Sequence, residues 1–292
     1  MSKYNDDLYQ DAITATIGDI YYSNASPKSK IASMRVLIEY YIRRLIKHNP
    51  NSDLTLGHNK TKNELQNKGI NEEFFWKAFD IVHSYGNDSS HSKKFNLPTQ
   101  EDLNIVSEAV ITIQAYLFYN FFKKFKFGDN LDIVSHFSLL PPFFRYKVLH
   151  ELMHYYDYEN MDVICKYGLS YIKAYEKNKA LELLESEKEI LDSHRLPITS
   201  ESAIQVFNLA GPLAYAEYLQ EMNCTIYEYL KRQIERHGDT FETLRKYKTF
   251  EEAKQYYLSE GKVEGNTQDV IEFNNLMKYI YAGRKPVSDN VT

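Results

Sequence analysis

Residues 26–48 read SPKSKIASMRVLIEYYIRRLIKH. Ser26 offers a side-chain acceptor just ahead of a proline at the first helical position, a combination that opens a helix. Ile31, Met34, Leu37, Ile38, Tyr41 and Leu45 then recur three and four residues apart along one stripe. That is the period of a helix packed against a core. Outward from this stretch the same signals repeat. A first helix is expected over 6–20, a loop over 49–60 and a short helix over 62–67. Asn71 starts a helix over 72–85, which Gly86-Asn87 ends. Thr99, with Asp102 in the first turn, caps a long helix to about Lys126. Further on, Pro141-Pro142 opens a helix over 143–156, and antiparallel helices come next over 160–175, 178–192, 201–221 and 224–237. Thr249 with Glu252 forms a capping box, Gly261 stops that helix, and a last one runs over 267–281 before Gly283. No segment shows the two-residue alternation of a strand. The expected fold class is all-α: an N-terminal helical bundle followed by a second domain of antiparallel helices.

Composition agrees. The 292 residues include only 11 Gly and 8 Pro but 25 Tyr and 16 Phe, and 43% are hydrophobic. Gly and Pro so scarce exclude a turn-dense β-sandwich and a low-complexity chain. Gly128-Asp129-Asn130 marks a break in composition and divides the chain into 1–128 and 129–292. The front part holds 16 Lys/Arg against 14 Asp/Glu, and the rear part 19 against 26. Neither is a polybasic glove for nucleic acid, and the front part is the place to look for such a ligand.

Cys165 and Cys224 form no CxxC and no disulfide framework, which fits a reducing compartment. The N-terminus MSKYNDDLYQ lacks the apolar core of a signal peptide. The longest apolar stretch, 110–122, contains Gln114 and Asn120 and falls short of the ~20 residues of a membrane span. A cytoplasmic protein without a membrane partner is expected. No phosphate-cradling glycine loop occurs, and no cofactor is expected.

In the front part, ASMRVLIEYYIRRLI (32–46), a loop and short helix, FFWKAFDIVHSYGNDSSHS (74–92) and a long apolar helix occur in order. Arg35 and Glu39 stand four apart on the early helix, and Gly86, Asn87 and His91 form a Gly-Asn-three-residues-His pattern. Over roughly 25–127 the chain resembles a HEPN domain, more narrowly the branch known as domain of unknown function 4145. The resemblance implies RNA or nucleotide binding in a bacterial anti-phage or conflict system, and a homodimer. The ribonucleases of that superfamily carry an Arg four to six residues before a His. The Arg stabilises phosphate charge and the His acts as acid or base. Here the position five before His91 is Gly86, so the motif is degenerate. By the resemblance His91, Asn87 and Arg35 are the catalytic candidates, with Glu39, His83, Arg43 and Arg44 as ligand-binding candidates. Arg35, Arg43 or Arg44 would have to supply the missing guanidinium.

Read without the family, Arg35 and Glu39 are an i,i+4 pair. Gly86 would allow a backbone conformation that ends its helix, Asn87 would cap the next segment, and His91 would bond a backbone group.

In the rear part, residues 150–154 read HELMH. Two imidazoles four apart with a glutamate between them are the HExxH pattern of a zinc hydrolase. That makes His150, Glu151 and His154 a metal candidate. On a helix the two histidines project away from the apolar face of Val148, Leu149, Leu152, Met153 and Tyr156. Asp157 and Met161 stand where an extended motif has Gly and a third His. Glu182, Glu185 or Glu187 could supply a third ligand. The segments 137–153 and 160–191 resemble the helical extension that follows the HEPN-like domain in some relatives, a pattern that does not include the histidines. The leading expectation is therefore a HEPN-like RNA- or nucleotide-binding protein whose acidic rear part meets a protein partner. A non-enzymatic sensor or adaptor is the second reading, and a zinc hydrolase the third.

Overall fold

In a computed structural model, residues 5–49, 52–90, 97–198, 200–243 and 247–287 are described. Among them every regular element is helical, and the fold is all-α. A 3-10 turn, Asp6–Tyr9, leads into α1 (Gln10–Tyr21), α2 (Pro27–Ile46), α3 (Asn59–Asn67), α4 (Glu73–Ser90) and α5 (Gln100–Lys124). Then come α6 (Leu131–Phe137), α7 (Pro142–Tyr155), α8 (Met161–Ala174), α9 (Lys177–Ser186) and α10 (Lys188–Ser193). The chain closes with α11 (Ser200–Met222), α12 (Ile226–Thr243), α13 (Phe250–Glu260) and α14 (Gln268–Ile280).

Local chemistry sets these bounds. The Ser26 hydroxyl accepts from the Ser29 N–H at 3.3 Å, with Pro27 as the first helical residue. Thr99 and Asp102 bond each other's backbone N–H, closing a capping box on α5. Thr249 and Glu252 do the same for α13, and Thr225 and Glu228 for α12. Two expectations change here. Helix α4 does not stop at Gly86-Asn87 but continues to Ser90. The expected helix over 178–192 is two, α9 and α10, parted at Glu187.

The chain forms two compact units, residues 1–121 with 260–292, and residues 122–259. The division falls within α5 and again at the end of α13, and not at Gly128. The returning segment joins the first unit because its aromatic face completes that core. Phe273 packs edge-on against Phe118, and its ring lies 5.7 Å from that of Phe121. The Tyr279 ring lies tilted against Tyr41 with centroids 5.7 Å apart, and its hydroxyl donates to the Tyr40 carbonyl at 2.9 Å. In the same unit α2 packs against α1, α3 and α4. The stripe from Ile31 to Tyr41 is buried, with Phe75 and Phe79 from α4 and Tyr116 from α5 among the largest buried rings of the unit. By length and composition α5 could cross a bilayer, but 67% of its most apolar window is buried within the protein.

In the second unit α7 and α8 pack together, and α12 lies against α8, α9 and α10. Phe122, Phe127, Phe137 and Phe144 are buried, and Phe250 joins Phe144 edge-on. Counted by these units, Lys/Arg against Asp/Glu is 17 to 19 and 18 to 21, so the charge contrast drawn at Gly128 disappears.

Candidate functional site

The polar face of α2 meets the C-terminal half of α4 and the loop before α3. Arg35 donates through Nη1 to Asn87 Oδ1, and its Nε lies 3.7 Å from Glu39. Asn87 in turn donates through Nδ2 to His83 Nε2 at 2.9 Å. Arg35, Glu39, His83 and Asn87 therefore form one connected group, although the sequence separates the two pairs by more than forty residues.

Gly86 makes this approach feasible, for a different reason from the one expected. It lies inside α4. A Cβ there would sit 2.8 Å from Arg35 Cδ and 3.1 Å from its Cβ. The missing side chain is the space through which the Arg35 stem crosses α4. Among the described residues Asn87 makes no capping bond and instead bridges Arg35 to His83.

The loop before α3 closes the other side. Glu39 accepts a hydrogen bond from the backbone of Leu56. Gly57 takes φ +80°, and a Cβ on it would fall 1.9 Å from His83 Nε2, so only glycine lets the loop lie on that ring. Arg43 donates through Nη1 to the Ser52 carbonyl and meets His48 Nδ1, both at 3.0 Å. Arg43 is thus engaged in holding the loop.

Arg44 is elsewhere. It is buried, with Nε 3.0 Å from Asp6 Oδ1 and its guanidinium 5.5 Å over the Tyr279 ring. It ties the N-terminal turn to the core of its unit, which removes it from the ligand candidates. His91 lies outside the described residues.

Electrostatics follow from burial. Desolvation raises the Glu39 carboxyl above its usual range, against the pull of Arg35 and Arg43. Burial, with Arg35 and Lys62 beside it, lowers the His83 imidazole. His83 is therefore held neutral, in keeping with an Nε2 that accepts from Asn87. The outer edge of Arg35, Nη2, makes no hydrogen bond among the described residues. It is the group of this cluster whose donors are left unused.

The HELMH segment forms a second polar cluster. His150 Nδ1 is 3.3 Å from Glu151 and its Nε2 is 3.7 Å from Glu187. Glu187 also accepts from the Tyr167 hydroxyl at 2.9 Å. Burial alone would lower His150, but the two carboxylates outweigh it and its pKa is raised. His154 lies on the exposed side, with Nδ1 2.9 Å from the Tyr158 hydroxyl, and burial and His150 lower its pKa. Tyr158 reaches back because Asp157 and Tyr158 both take positive φ, and its ring stacks on His194. Of the three carboxylates suggested as a third ligand, Glu187 does arrive. Even so, no group of three or more His, Cys, Asp or Glu side chains among the described residues is arranged to hold a metal ion.

Sequence reasoning missed Gly57, the role of Glu187 and the Arg44–Asp6 pair. Gly57 carried a signal as a glycine in a loop next to a predicted helix, and Glu187 one as a possible third ligand, while nothing local pointed to the Arg44–Asp6 pair. Comparison with known families, with curated proteins and with solved structures finds no match to this chain.

Proposed function

We propose that the first unit is a HEPN-like domain that binds RNA or a nucleotide by its phosphate, with Arg35 as the contact. One observation carries the reading: Arg35 crosses α4 over Gly86, at the position five before His91 where the ribonucleases it resembles carry an arginine. A guanidinium from α2 takes the place of the side chain that α4 lacks. The geometry supports this role in three ways. One edge of Arg35 is fixed by Asn87 and Glu39, and the other keeps its donors unused among the described residues. A fixed planar fork suits the two oxygens of a phosphate. His83 is neutral and does not compete for an anion.

Cleavage needs more than binding, because an acid or base must reach the 2′-hydroxyl. In this reading that group is His91, with Asn87 orienting the phosphate beside it. The zinc reading receives no such support, since the side chains of the HELMH motif are occupied by Glu187, Glu151 and Tyr158.

The test is binding and cleavage of labelled single-stranded RNA by the wild type, Arg35→Ala and His91→Ala. The wild type is expected to bind with an affinity that falls as salt rises. Arg35→Ala should weaken binding by about tenfold, near the ~1.4 kcal/mol of one charged contact. If the domain cleaves, His91→Ala should abolish cleavage and leave binding. Absence of RNA and nucleotide binding by the wild type would overturn the proposal.

A further inference from the structure

Helix α11 presents an apolar surface that its own unit leaves open. Residues 202–216, SAIQVFNLAGPLAYA, contain no charged side chain. Among residues 203–222 only Ala203 is buried. Ile204, Phe207, Leu209 and Leu213 are 56%, 47%, 88% and 74% exposed. A helix apolar on every side belongs in an interior, and this one lies at the surface.

Its shape narrows what can cover it. Gly211, at φ +83° and ψ −179°, breaks the helix, and Pro212 starts a second arm. Phe207 and Tyr215 meet edge-on with centroids 5.7 Å apart. Eight residues of straight helix would separate them by about 12 Å along the axis, so the arms bend toward each other. The result is a short bent pair of helices with Leu209 and Leu213 at its tip. Arms of this length do not form a core by themselves.

We infer that α11 is a self-association surface, on which the bent pair of one copy packs against that of a second copy to make a small four-helix bundle. Charge excludes the commonest alternatives. No Lys, Arg or His occurs between Arg195 and Lys231, whereas Glu201, Glu217, Glu221 and Glu228 do. The apolar arms thus carry no cation of their own for nucleic-acid phosphate or an anionic lipid headgroup, and Arg195, Arg232 and Arg236, which reach the C-terminal end, are bonded to Asn223 and Glu221. Glu221 is already paired with Arg236 at 2.5 Å, which leaves the C-terminal arm without excess charge at that point. Area fits as well. The four exposed side chains present roughly 500 Å² per copy, the size of the largest patch on a typical monomer, which is often functional. Covering it on both copies removes about 1,000 Å² from these four side chains alone, above ordinary crystal contacts and at the threshold of a specific interface. Identical partners also match in length, in bend and in lack of charge.

This inference does not depend on RNA binding by the first unit. It is tested on the full chain by size-exclusion chromatography with light scattering, on the wild type and on a Leu209→Glu, Leu213→Glu double variant. Both leucines are exposed, so the variant keeps its helical circular dichroism and melting temperature. The wild type is expected at twice the 34.4 kDa chain mass. The variant is expected at the single mass, its dimerisation weakened at least about 100-fold. A wild type that stays monomeric up to ~100 μM, or a dimer that the variant leaves intact, would overturn it. A monomer that sediments with phosphatidylcholine vesicles would also overturn it, by making a neutral lipid surface the partner.

Discussion

Gly86 separates binding from folding more cleanly than any charged residue of the site. Alanine there improves helix propensity by ~1 kcal/mol, but its methyl occupies the path of the Arg35 stem. The Cδ end of the stem can swing away, while the Arg35 Cβ at 3.1 Å is set by α2 and needs a few tenths of an ångström of helix adjustment, which offsets the gain in propensity. Gly86→Ala is therefore expected to melt within a degree or two of the wild type, as read by calorimetry, while Arg35 leaves its place. Gly57→Ala is the opposite case. Its positive φ and the His83 ring 1.9 Å from the added carbon leave nowhere to yield. A loss of at least about 1–2 kcal/mol in urea unfolding is expected. The imidazoles give a third test. His150 should titrate above 6.5, and His83 and His154 below it, in nitrogen-detected NMR. By linkage, His150 supports the fold at low pH and loses that contribution as pH rises through its raised pKa. His83 and His154 support it above 6.5 and lose that as pH falls. An order of titration with His83 highest would contradict the geometry of both clusters.

Helix boundaries track side-chain caps wherever caps exist. Thr99 with Asp102 and Thr249 with Glu252 were legible because a capping box is local, complete within four residues. Thr99→Ala is expected to lower stability by about 1 kcal/mol through loss of the cap on α5, measured by urea denaturation. Gly86-Asn87 misled because the same two residue types end helices elsewhere. What keeps α4 helical to Ser90 is tertiary: Asn87 bridges Arg35 and His83 and does not cap its own backbone. The split at Glu187 has the same origin, since that carboxylate is held by Tyr167 and His150 from other helices. Periodicity could not show it.

Across the molecule, the helical class was written in the period of the apolar residues, whereas the division into units was not. Gly128 is a turn, and nothing near it indicates that Phe273 and Tyr279 return to Phe118, Phe121 and Tyr41. Contacts between residues more than 150 positions apart leave no mark in a local pattern. Removal of residues 260–292 is thus expected to unfold the first unit and spare the second. Limited proteolysis should show a protected fragment near 122–259, and a protected fragment ending near residue 121 would contradict the division. The charge balance moves with the boundary as well. With 17 cations to 19 anions the first unit has no basic surplus, so the proposed RNA binding rests on one placed guanidinium and not on bulk attraction.

That claim is tested most directly by fluorescence anisotropy of labelled single-stranded RNA across a salt series, comparing the wild type with Gly86→Ala. The account predicts binding by the wild type and a loss of about tenfold in the variant, with the salt slope reduced by about one phosphate contact and the melting temperature unchanged. Equal binding by the two proteins would contradict it.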